Sequence, residues 1–328
     1  MTERNAGIIG MGHSYPEGIL TNADLEKIVE TSDEWITSRT GIKQRHKAAE
    51  HEYTSMFGTA AAKQALERAG LEPTDVQLIV CATTTPDQIM PSTGALIQAQ
   101  LGATNAAGMD IFAACSGFLY GLTMVESMIR TRQIEHALVI GAEVLTKYVD
   151  YTDRGTCVIF GDGAGAAVLG PVEKGKGILA TKIRSDGRYE EQLYAPGGGT
   201  KLGTTHETID EGLHFFKMKG NELFKVAVRS MAEISAEMLA QAGLTVDDVD
   251  IVIPHQANQR ITDAVASRLG VDETKVYSNI AELGNTSSAS IPIAMDECIQ
   301  SGRIKEGSTV LLTAFGGGVT WGGTVLKF

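Results

Sequence analysis

The sequence is poor in several features that would assign it to other classes of protein. Its four cysteines, at positions 81, 115, 157 and 298, form no Cys-x-x-Cys pair, which argues against a disulfide framework and a cysteine-based metal site. No apolar run reaches the length of a membrane span, and the first residues lack the basic and apolar regions of a signal peptide. We therefore expect a reduced, cytoplasmic protein that neither binds a metal nor enters a membrane.

Positive charge is also scarce. The chain has 28 Lys and Arg against 40 Asp and Glu, a net charge of −12, which argues against a nucleic-acid partner because such binding needs a positive surface. An acidic protein partner would require a basic patch concentrated in one place. In other respects the 328 residues are ordinary for a globular protein, with 43% hydrophobic and 21% charged residues, and they suffice for two domains.

An internal repeat relates the two halves of the chain. Residues 66–80 match residues 239–253 at an offset of 173, and each copy has the pattern of a helix that ends at glycine, a short loop and a buried strand. Residues 138–142 match residues 310–314 at an offset of 172. Two matches at nearly the same offset predict a duplicated unit, and the alternation of strand-like and helical segments predicts an α/β architecture.

Cys115 is the first candidate nucleophile. It lies between an apolar, strand-like segment and a helical pattern formed by Phe118, Leu122, Val125 and Ile129. A thiol at a helix N-terminus is exposed to the positive end of the helix dipole, which favours the nucleophilic thiolate. The alternative is a small buried hydrophobe, and this segment alone does not decide between the two.

Three segments in the second half carry further candidate groups. His255 comes directly after the strand-like residues 250–253, at the edge where α/β proteins place catalytic groups, although a single histidine there is often structural. Asn285 lies in a Gly-Asn turn before a helical pattern, where the alternative is a turn or cap role. Glycines 316–318 follow another strand, where they either offer N–H groups to an oxyanion or make a tight turn.

Together these segments resemble the β-ketoacyl-acyl carrier protein synthase III family, the thiolase-like condensing enzymes that start fatty acid synthesis. Matching motifs cover essentially the whole chain, at residues 33–36, 39–42, 113–118, 152–156, 160–168, 255–258, 284–287 and 315–318. The resemblance implies an α/β, thiolase-like fold of two duplicated βαβαβαββ halves, packed as a five-layered α-β-α-β-α sandwich. We expect the N-terminal half, 1–172, to carry the cysteine and the C-terminal half, 173–328, to carry the histidine and the asparagine.

The resemblance also implies an activity. It is the decarboxylative Claisen condensation of an acyl-CoA primer, with acetyl-CoA as the expected primer, and malonyl-acyl carrier protein. Cys115, His255 and Asn285 would form the catalytic triad, with the acyl group held on the cysteine and the enolate stabilised by the other two. Backbone N–H groups of Cys115 and Gly317 would form the oxyanion hole. No cofactor is implied, since the coenzyme A thioester is a substrate.

Coenzyme A contacts carry over to four positions. Trp35 and Arg154 would sandwich the adenine, with Arg39 nearby, and Asn258 would hold the pantetheine arm. A flat aromatic ring and a guanidinium plane are both suited to a flat heterocycle. Apart from the resemblance, Trp35 would be interpreted as a core aromatic and Arg154 as a surface ion-pair residue.

A local basic patch is the expected contact for an acidic carrier protein. The resemblance places such contacts at Lys225, Gln256, Arg260 and Arg268, and these cations could attract the carrier despite the overall negative charge. Position 267 is Ser where some family members have a second basic residue, which weakens the expected patch. The alternative is a solvated charged helix face.

Met90 matches a position that in the family is often Phe and reaches across a homodimer interface into the partner's primer pocket. Methionine is more flexible, so primer length is left open.

Two other functions also stay open. A secondary-metabolism condensing enzyme, of quinolone or polyketide starter type, would share the triad but use another acceptor. A catalytically inactive partner subunit should have lost the nucleophile, whereas the triad is complete here.

Overall fold

The computed structural model describes residues 4–328, apart from the side chains of residues 221 and 222. Its strands are β1 (Asn5–Ser14), β2 (Ile19–Thr21), β3 (Gln44–His46), β4 (Leu78–Ala82), β5 (Ala107–Ile111), β6 (Ala137–Val144), β7 (Asp162–Val172), β8 (Gly177–Ser185), β9 (Leu193–Tyr194), β10 (Lys217–Met218), β11 (Ile251–Pro254), β12 (Thr309–Gly316) and β13 (Thr320–Lys327). Its α-helices are α1 (Asn22–Leu25), α2 (Asp33–Thr40), α3 (Thr54–Ala69), α4 (Thr93–Leu101), α5 (Gly117–Arg130), α6 (His206–Asp210), α7 (Gly220–Gln241), α8 (Gln259–Leu269), α9 (Ile280–Leu283) and α10 (Ser290–Gln300).

Two mixed sheets share one topology. The first has the order β1-β7-β6-β4-β5, in which β4 is parallel to β5 and β6, while β7 is antiparallel to β6 and β1. The second has the order β11-β12-β13-β8, with β11 parallel to β12 and β13 antiparallel to β12 and β8. Strands β8, β13, β12 and β11 thus take the places of β1, β7, β6 and β4, and the predicted duplication is confirmed.

The repeat is also visible in the turns between elements. The 3₁₀ turns Pro73–Asp75 and Val246–Asp248 are 173 residues apart, as are the turns Ala114–Ser116 and Ser287–Ala289. Helices α5 and α10 begin directly after the second pair of turns. The expected division into halves 1–172 and 173–328 falls between β7 and β8, and these bounds stay a prediction.

The helices form three layers around the two sheets. Helices α5 and α10 contact strands of both sheets and lie between them, α3 and α4 cover the outer face of the first sheet, and α7, with α8 against it, covers the second. One buried cluster therefore joins α5 and α10 to both sheets, and separate clusters lie under the outer helices. This is the predicted five-layered sandwich.

Helix α5 fits between the sheets because of its sequence. Phe118, Leu122 and Val125 follow the helical period and are buried, and each such side chain contributes about 1.5–3 kcal/mol to stability. Gly121 is needed where the helix meets β6, since a Cβ there would lie 2.6 Å from a Val139 methyl carbon. Within residues 4–328, no helix is both long and apolar enough to cross a bilayer.

Candidate active site

Cys115 lies in the 3₁₀ turn Ala114–Ser116, directly before α5, as the sequence predicts. Ala114 has a φ of +46°, in the left-handed region that residues other than glycine rarely adopt, and this conformation turns the chain sharply before the cysteine. The end of β12 packs against the turn. A Cβ on Gly316 would lie 2.6 Å from the backbone nitrogen of Cys115, so only glycine fits at that position.

One cavity collects the predicted catalytic side chains. Cys115 comes from the turn before α5, His255 from the end of β11, and Asn285 from the turn after α9, and all three line the same cavity. The other lining residues are Ile159, Phe160, Leu193, Met218, Gly220, Leu223, Phe224, Ala227, Met231, Ala257, Asn258, Ile261, Phe315 and Gly316. The wall is therefore mostly apolar, with a few polar groups converging on the sulfur, as is usual for small-molecule sites.

His255 is a buried, neutral imidazole. Its Nδ1 lies 2.7 Å from the Ser290 hydroxyl, while its buried Nε2 has no hydrogen-bond partner among the described residues. Burial lowers the pKa of His255 to about 3, so the ring is uncharged at neutral pH. An unpaired ring nitrogen in a cavity wall is suited to bonding a substrate oxygen.

The Asn285 amide has a defined orientation. Its Oδ1 accepts the Ser287 N–H at 2.8 Å, which leaves the two N–H donors of the amide for the cavity. The backbone on either side is also held, since Asn285 N donates to Ile159 O and Gly161 N donates to Asn285 O, both at 3.0 Å. Asn285 and His255 thus present polar groups to the space beside Cys115.

Cys115 itself is a thiol in this structure. Burial raises its pKa to about 12, and the carboxylate of Glu143 adds to the increase, whereas a hydrogen bond from Ser287 favours the thiolate. The predicted position at a helix N-terminus is confirmed. At this position the removal of the sulfur from water has a larger effect on the pKa of Cys115 than the helix N-terminus, which favours the thiolate.

The glycine segment 316–318 lies next to Cys115. Gly316 contacts the Cys115 backbone, and Gly317 follows it, with its Cα facing the Leu193 carbonyl. A Cβ on Gly317 would lie 2.8 Å from that oxygen, so the segment tolerates no side chain there. The oxyanion role of the Gly317 N–H stays a prediction.

Trp35, Arg39 and Arg154 form one surface cluster. The guanidinium carbons of Arg39 and Arg154 lie 4.9 and 5.0 Å from the centre of the Trp35 ring, within cation–π distance. Asn258 links this cluster to the cavity, since it lines the cavity and donates to Arg39 O at 3.0 Å while capping α8 through Arg260 N–H. The four residues expected to bind coenzyme A are therefore contiguous.

The expected carrier-protein contacts divide into two groups. Lys225 on α7 and Arg260 and Arg268 on α8 are exposed, with Arg260 5.8 Å from the Phe224 ring and Arg268 3.9 Å from Glu233. Gln256 differs from these exposed residues. Its side chain is only 1% exposed and its amide donates to Pro254 O at 2.7 Å, and its contact with a carrier protein stays a prediction.

Met90 does not line the cavity of its own chain. It is 81% exposed, next to Ile89 at 93%, and Phe112, directly after β5, is 75% exposed. Such apolar exposure is unusual for a monomer surface and is typical of an interface. A contribution to a partner's primer pocket stays a prediction.

Sequence reasoning missed several residues around the site, namely Glu143, Ser287 and Ser290. Glu143 accepts hydrogen bonds from Thr84 N at 3.0 Å and from the Thr85 hydroxyl at 2.7 Å. The available signal was a single acid within the otherwise apolar strand 137–144. Across the part of the chain that the structure describes, no group of three or more His, Cys, Asp or Glu side chains could hold a metal.

A cysteine from one half that shares a cavity with a histidine and an asparagine from the other is the arrangement of thiolase-like condensing acyltransferases. Two family models match the chain. The model described as 3-Oxoacyl-[acyl-carrier-protein (ACP)] synthase III matches residues 109–187, and the model described as 3-Oxoacyl-[acyl-carrier-protein (ACP)] synthase III C terminal matches residues 239–328. The chain belongs to this family, which is also called β-ketoacyl-[acyl-carrier-protein] synthase III.

Relatives and solved structures agree with this assignment. The β-ketoacyl-[acyl-carrier-protein] synthase III of Caldanaerobacter subterraneus is 50% identical over 323 residues, 98% of each chain, and that of Clostridioides difficile is also 50% identical with the same coverage. The 3-oxoacyl-[acyl-carrier-protein] synthase III structure from Aquifex aeolicus matches with a TM-score of 0.92 at 49% identity, covering 98% of this chain and 100% of that one. The priming β-ketosynthase of the R1128 polyketide pathway also has a TM-score of 0.92, at 34% identity over 99% and 96% of the two chains.

Proposed function

We propose that the protein condenses an acyl-CoA primer with malonyl-acyl carrier protein to give 3-ketoacyl-acyl carrier protein, the first carbon–carbon bond of fatty acid synthesis. One observation carries the proposal. Cys115, His255 Nε2 and the Asn285 amide face a single cavity whose remaining wall is mostly apolar. A covalent acyl carrier and two neutral donors are what a decarboxylative condensation needs.

The first half-reaction transfers the acyl group to Cys115. The sulfur forms a bond to the acyl carbon, the bond from that carbon to the coenzyme A sulfur breaks, and the proton of the thiol ends on coenzyme A. The backbone N–H groups of Cys115 and Gly317 stabilise the negative oxygen of the tetrahedral intermediate, and loss of one such donor costs about 10²–10³ in rate. Trp35, Arg154, Arg39 and Asn258 hold the coenzyme A.

The second half-reaction forms the carbon–carbon bond. Ser290 Oγ accepts the Gln256 N–H at 3.4 Å and donates its own proton to His255 Nδ1, so we assign the ring proton to Nε2. When malonyl loses CO₂, His255 Nε2–H and the Asn285 amide donate to the enolate oxygen. The enolate carbon then attacks the acyl carbon, the bond to Cys115 breaks, and the thiolate regains a proton from solvent.

The same proposal gives roles to the charged and apolar surfaces around the cavity. Exposed Lys225, Arg260 and Arg268 attract an acidic carrier protein, and a homodimer covers the exposed apolar surface around Met90. We place the enzyme in the cytoplasm, where its four free, buried cysteines would stay reduced. The chain's own residues supply all the groups that these steps require, so no metal or cofactor enters the proposal.

The alternative acceptor of a secondary-metabolism enzyme has weaker support. The fold does not separate the two, since the R1128 priming enzyme and the Aquifex synthase have the same TM-score of 0.92. Identity favours the fatty acid enzyme, at 49% against 34%.

Intact-mass spectrometry tests the proposal directly. The protein is incubated with a panel of acyl-CoA thioesters, and the mass added to Cys115 identifies the primer. Malonyl-acyl carrier protein or malonyl-CoA is then supplied, and product formation identifies the acceptor. Cys115→Ser is the control and should keep its fold but lose acyl loading, since an alcohol is a far weaker nucleophile. Loading of that variant at the wild-type rate would contradict the role of Cys115, and product from malonyl-CoA alone would favour the alternative acceptor.

A further inference from the structure

Glu143 is a buried acid that the reaction described above does not use. It lies in β6 among residues that are all buried, and it is itself only 1% exposed. Its carboxylate accepts Thr84 N–H at 3.0 Å, the Thr85 hydroxyl at 2.7 Å and the Ser288 hydroxyl at 3.2 Å. A carboxylate removed from water costs several kcal/mol unless it is bonded in this way, so its presence calls for a role.

The duplication shows what kind of place Glu143 occupies. The turn Ser287–Ala289 is the counterpart of the turn Ala114–Ser116, so Ser288 stands 173 residues after Cys115 in the equivalent position. The end of β12 meets the cysteine turn, and the end of β6 meets the serine turn in the same way. Glu143 therefore lies beside the second half's counterpart of the Cys115 turn, and its carboxylate holds that turn through Ser288.

The Ser287–Ala289 turn contacts the proposed active site, the cavity lined by Cys115, His255 and Asn285, through Ser287. Its φ of +51° is left-handed, as that of Ala114 is, and such a conformation needs support from its neighbours. The Ser287 N–H holds Asn285 Oδ1 at 2.8 Å. The turn as a whole packs against the Cys115 turn, Ala114–Ser116, and the Ser288 hydroxyl within it donates to Glu143 at 3.2 Å.

We propose that Glu143 is a positioning residue of the condensation site, which holds the Ser287–Ala289 turn and through that turn fixes the Asn285 amide and the neighbouring Cys115 turn. The inference rests on the proposed function only in that these two groups are taken as catalytic. It assigns opposite effects on the Cys115 thiolate to Glu143 and Ser287. The Glu143 charge opposes formation of the thiolate, whereas the Ser287 hydroxyl favours it.

Few other titratable groups lie near Glu143 and Cys115. His255 faces Cys115 across the cavity and is neutral, and Cys81 and Tyr148 are the further titratable groups influenced by Glu143. None of them supplies a positive charge that would cancel the carboxylate. Burial raises the pKa of Glu143, and the hydrogen bonds from Thr84 and Thr85 oppose that rise, so its charge is most complete at the alkaline end of the pH range tested.

Alkylation of Cys115 by iodoacetamide tests the inference without any substrate. Rates are measured from neutral to mildly alkaline pH, and peptide mass spectrometry confirms which cysteine reacts. Glu143→Gln keeps the side-chain volume and removes the charge, so we expect alkylation about tenfold faster at each pH, the effect of one pKa unit. Ser287→Ala removes the donor to the thiolate, so we expect a rate several-fold slower.

Asp162→Asn is the matched control. Asp162 is also a fully buried carboxylate of the first half, but it accepts bonds from Ala48 and Thr146 and not from the Ser287 turn. Its loss should lower the melting temperature without changing the alkylation rate. In parallel, Glu143→Ala should lower kcat for condensation at least tenfold with little change in the KM for acyl-CoA, because positioning and not binding is lost.

Each result decides the matter. An unchanged or slower alkylation rate in Glu143→Gln would overturn the inference, and so would an equal acceleration in Asp162→Asn. If Glu143→Gln does not fold, the Ser287→Ala rate decides alone, and a wild-type value would refute the link to Cys115. Failure of acyl loading by the wild-type enzyme would instead contradict the proposed function and leave the alkylation result intact.

Discussion

His255 Nδ1 lies 2.7 Å from the hydroxyl of Ser290, the first residue of α10, and this contact directs the other ring nitrogen into the cavity. The histidine comes from the end of β11, so the contact joins a strand end to the N-terminus of a central helix. Orientation of the imidazole is thus set by a residue 35 positions away in the chain. A hydroxyl in this place also controls which nitrogen carries the proton.

Removal of this hydroxyl should affect one half-reaction. In Ser290→Ala, His255 loses the group that holds its tautomer, so we expect decarboxylation of malonyl-acyl carrier protein to fall by roughly 10²-fold, comparable to the loss of one oxyanion donor. Acyl loading of Cys115, read by intact mass, should change little. Ser290→Thr, which keeps the hydroxyl, is the control. Normal decarboxylation by the alanine variant would show that Ser290 is only structural.

The two enolate donors should be separable from the nucleophile. His255→Ala and Asn285→Ala each remove a donor from the cavity but leave the Cys115 turn in place. We expect both variants to accept an acyl group and to lose malonyl decarboxylation. Release of CO₂ and intact mass measure the two steps on the same sample. A variant that decarboxylates at the wild-type rate would show that its residue has another role.

Stability should depend on pH through His255. Its folded-state pKa, about 3, lies below the ordinary value of 6.5, so the unfolded chain binds more protons between these values. Stability contributed by the neutral ring is therefore complete above pH 6.5 and is lost as pH falls towards 3, by about 1.4 kcal/mol per pH unit within the window. Urea unfolding of wild type and His255→Gln measures it. The difference between the two proteins should shrink on acidification, and a constant difference would contradict the prediction.

Carrier-protein binding should respond to charge reversal on α7 and α8. Lys225→Glu and Arg260→Glu should raise the KM for malonyl-acyl carrier protein, and acyl loading from coenzyme A should change far less. Added salt should weaken the wild-type reaction with the carrier, since exposed charges are screened beyond about 10 Å at 0.1 M. Lys305→Glu is the control, because Lys305 is exposed beyond the opposite end of β12 from Gly316. Equal effects in the control, or none in the α7 and α8 variants, would favour a small-molecule acceptor.

Local patterns in the sequence predicted the frame of the molecule. The helical spacing from Phe118 onwards and the repeat at an offset of 173 correspond to α5 and to the duplicated turns. Motif order, and not any single residue, identified Cys115, His255 and Asn285 as a set. These features are visible because they depend on neighbours in sequence or on a match over the whole chain.

Burial and distant contacts were not predictable in the same way. The helix N-terminus at Cys115 favoured a thiolate, yet the packing that dehydrates the sulfur comes from segments far along the chain. The hydrogen bonds of Gln256 were also not predictable, because the Tyr277 carbonyl and the Ser278 hydroxyl that engage its amide lie more than twenty positions along the chain. Ser288 and Glu143 meet only in the folded protein, 145 positions apart, and no local pattern links them.

The position of α5 between the two sheets has a consequence for synthesis on the ribosome. The first sheet cannot be complete until β7 has emerged, because β1 pairs only with that strand. Even then, the face of α5 that will meet the second sheet has nothing to cover it until β8 and the strands up to β13 have followed. The apolar face of α5 in the newly made first half is thus exposed to solvent for the time needed to translate the remaining residues. A nascent chain of this kind is a natural client for ribosome-associated chaperones.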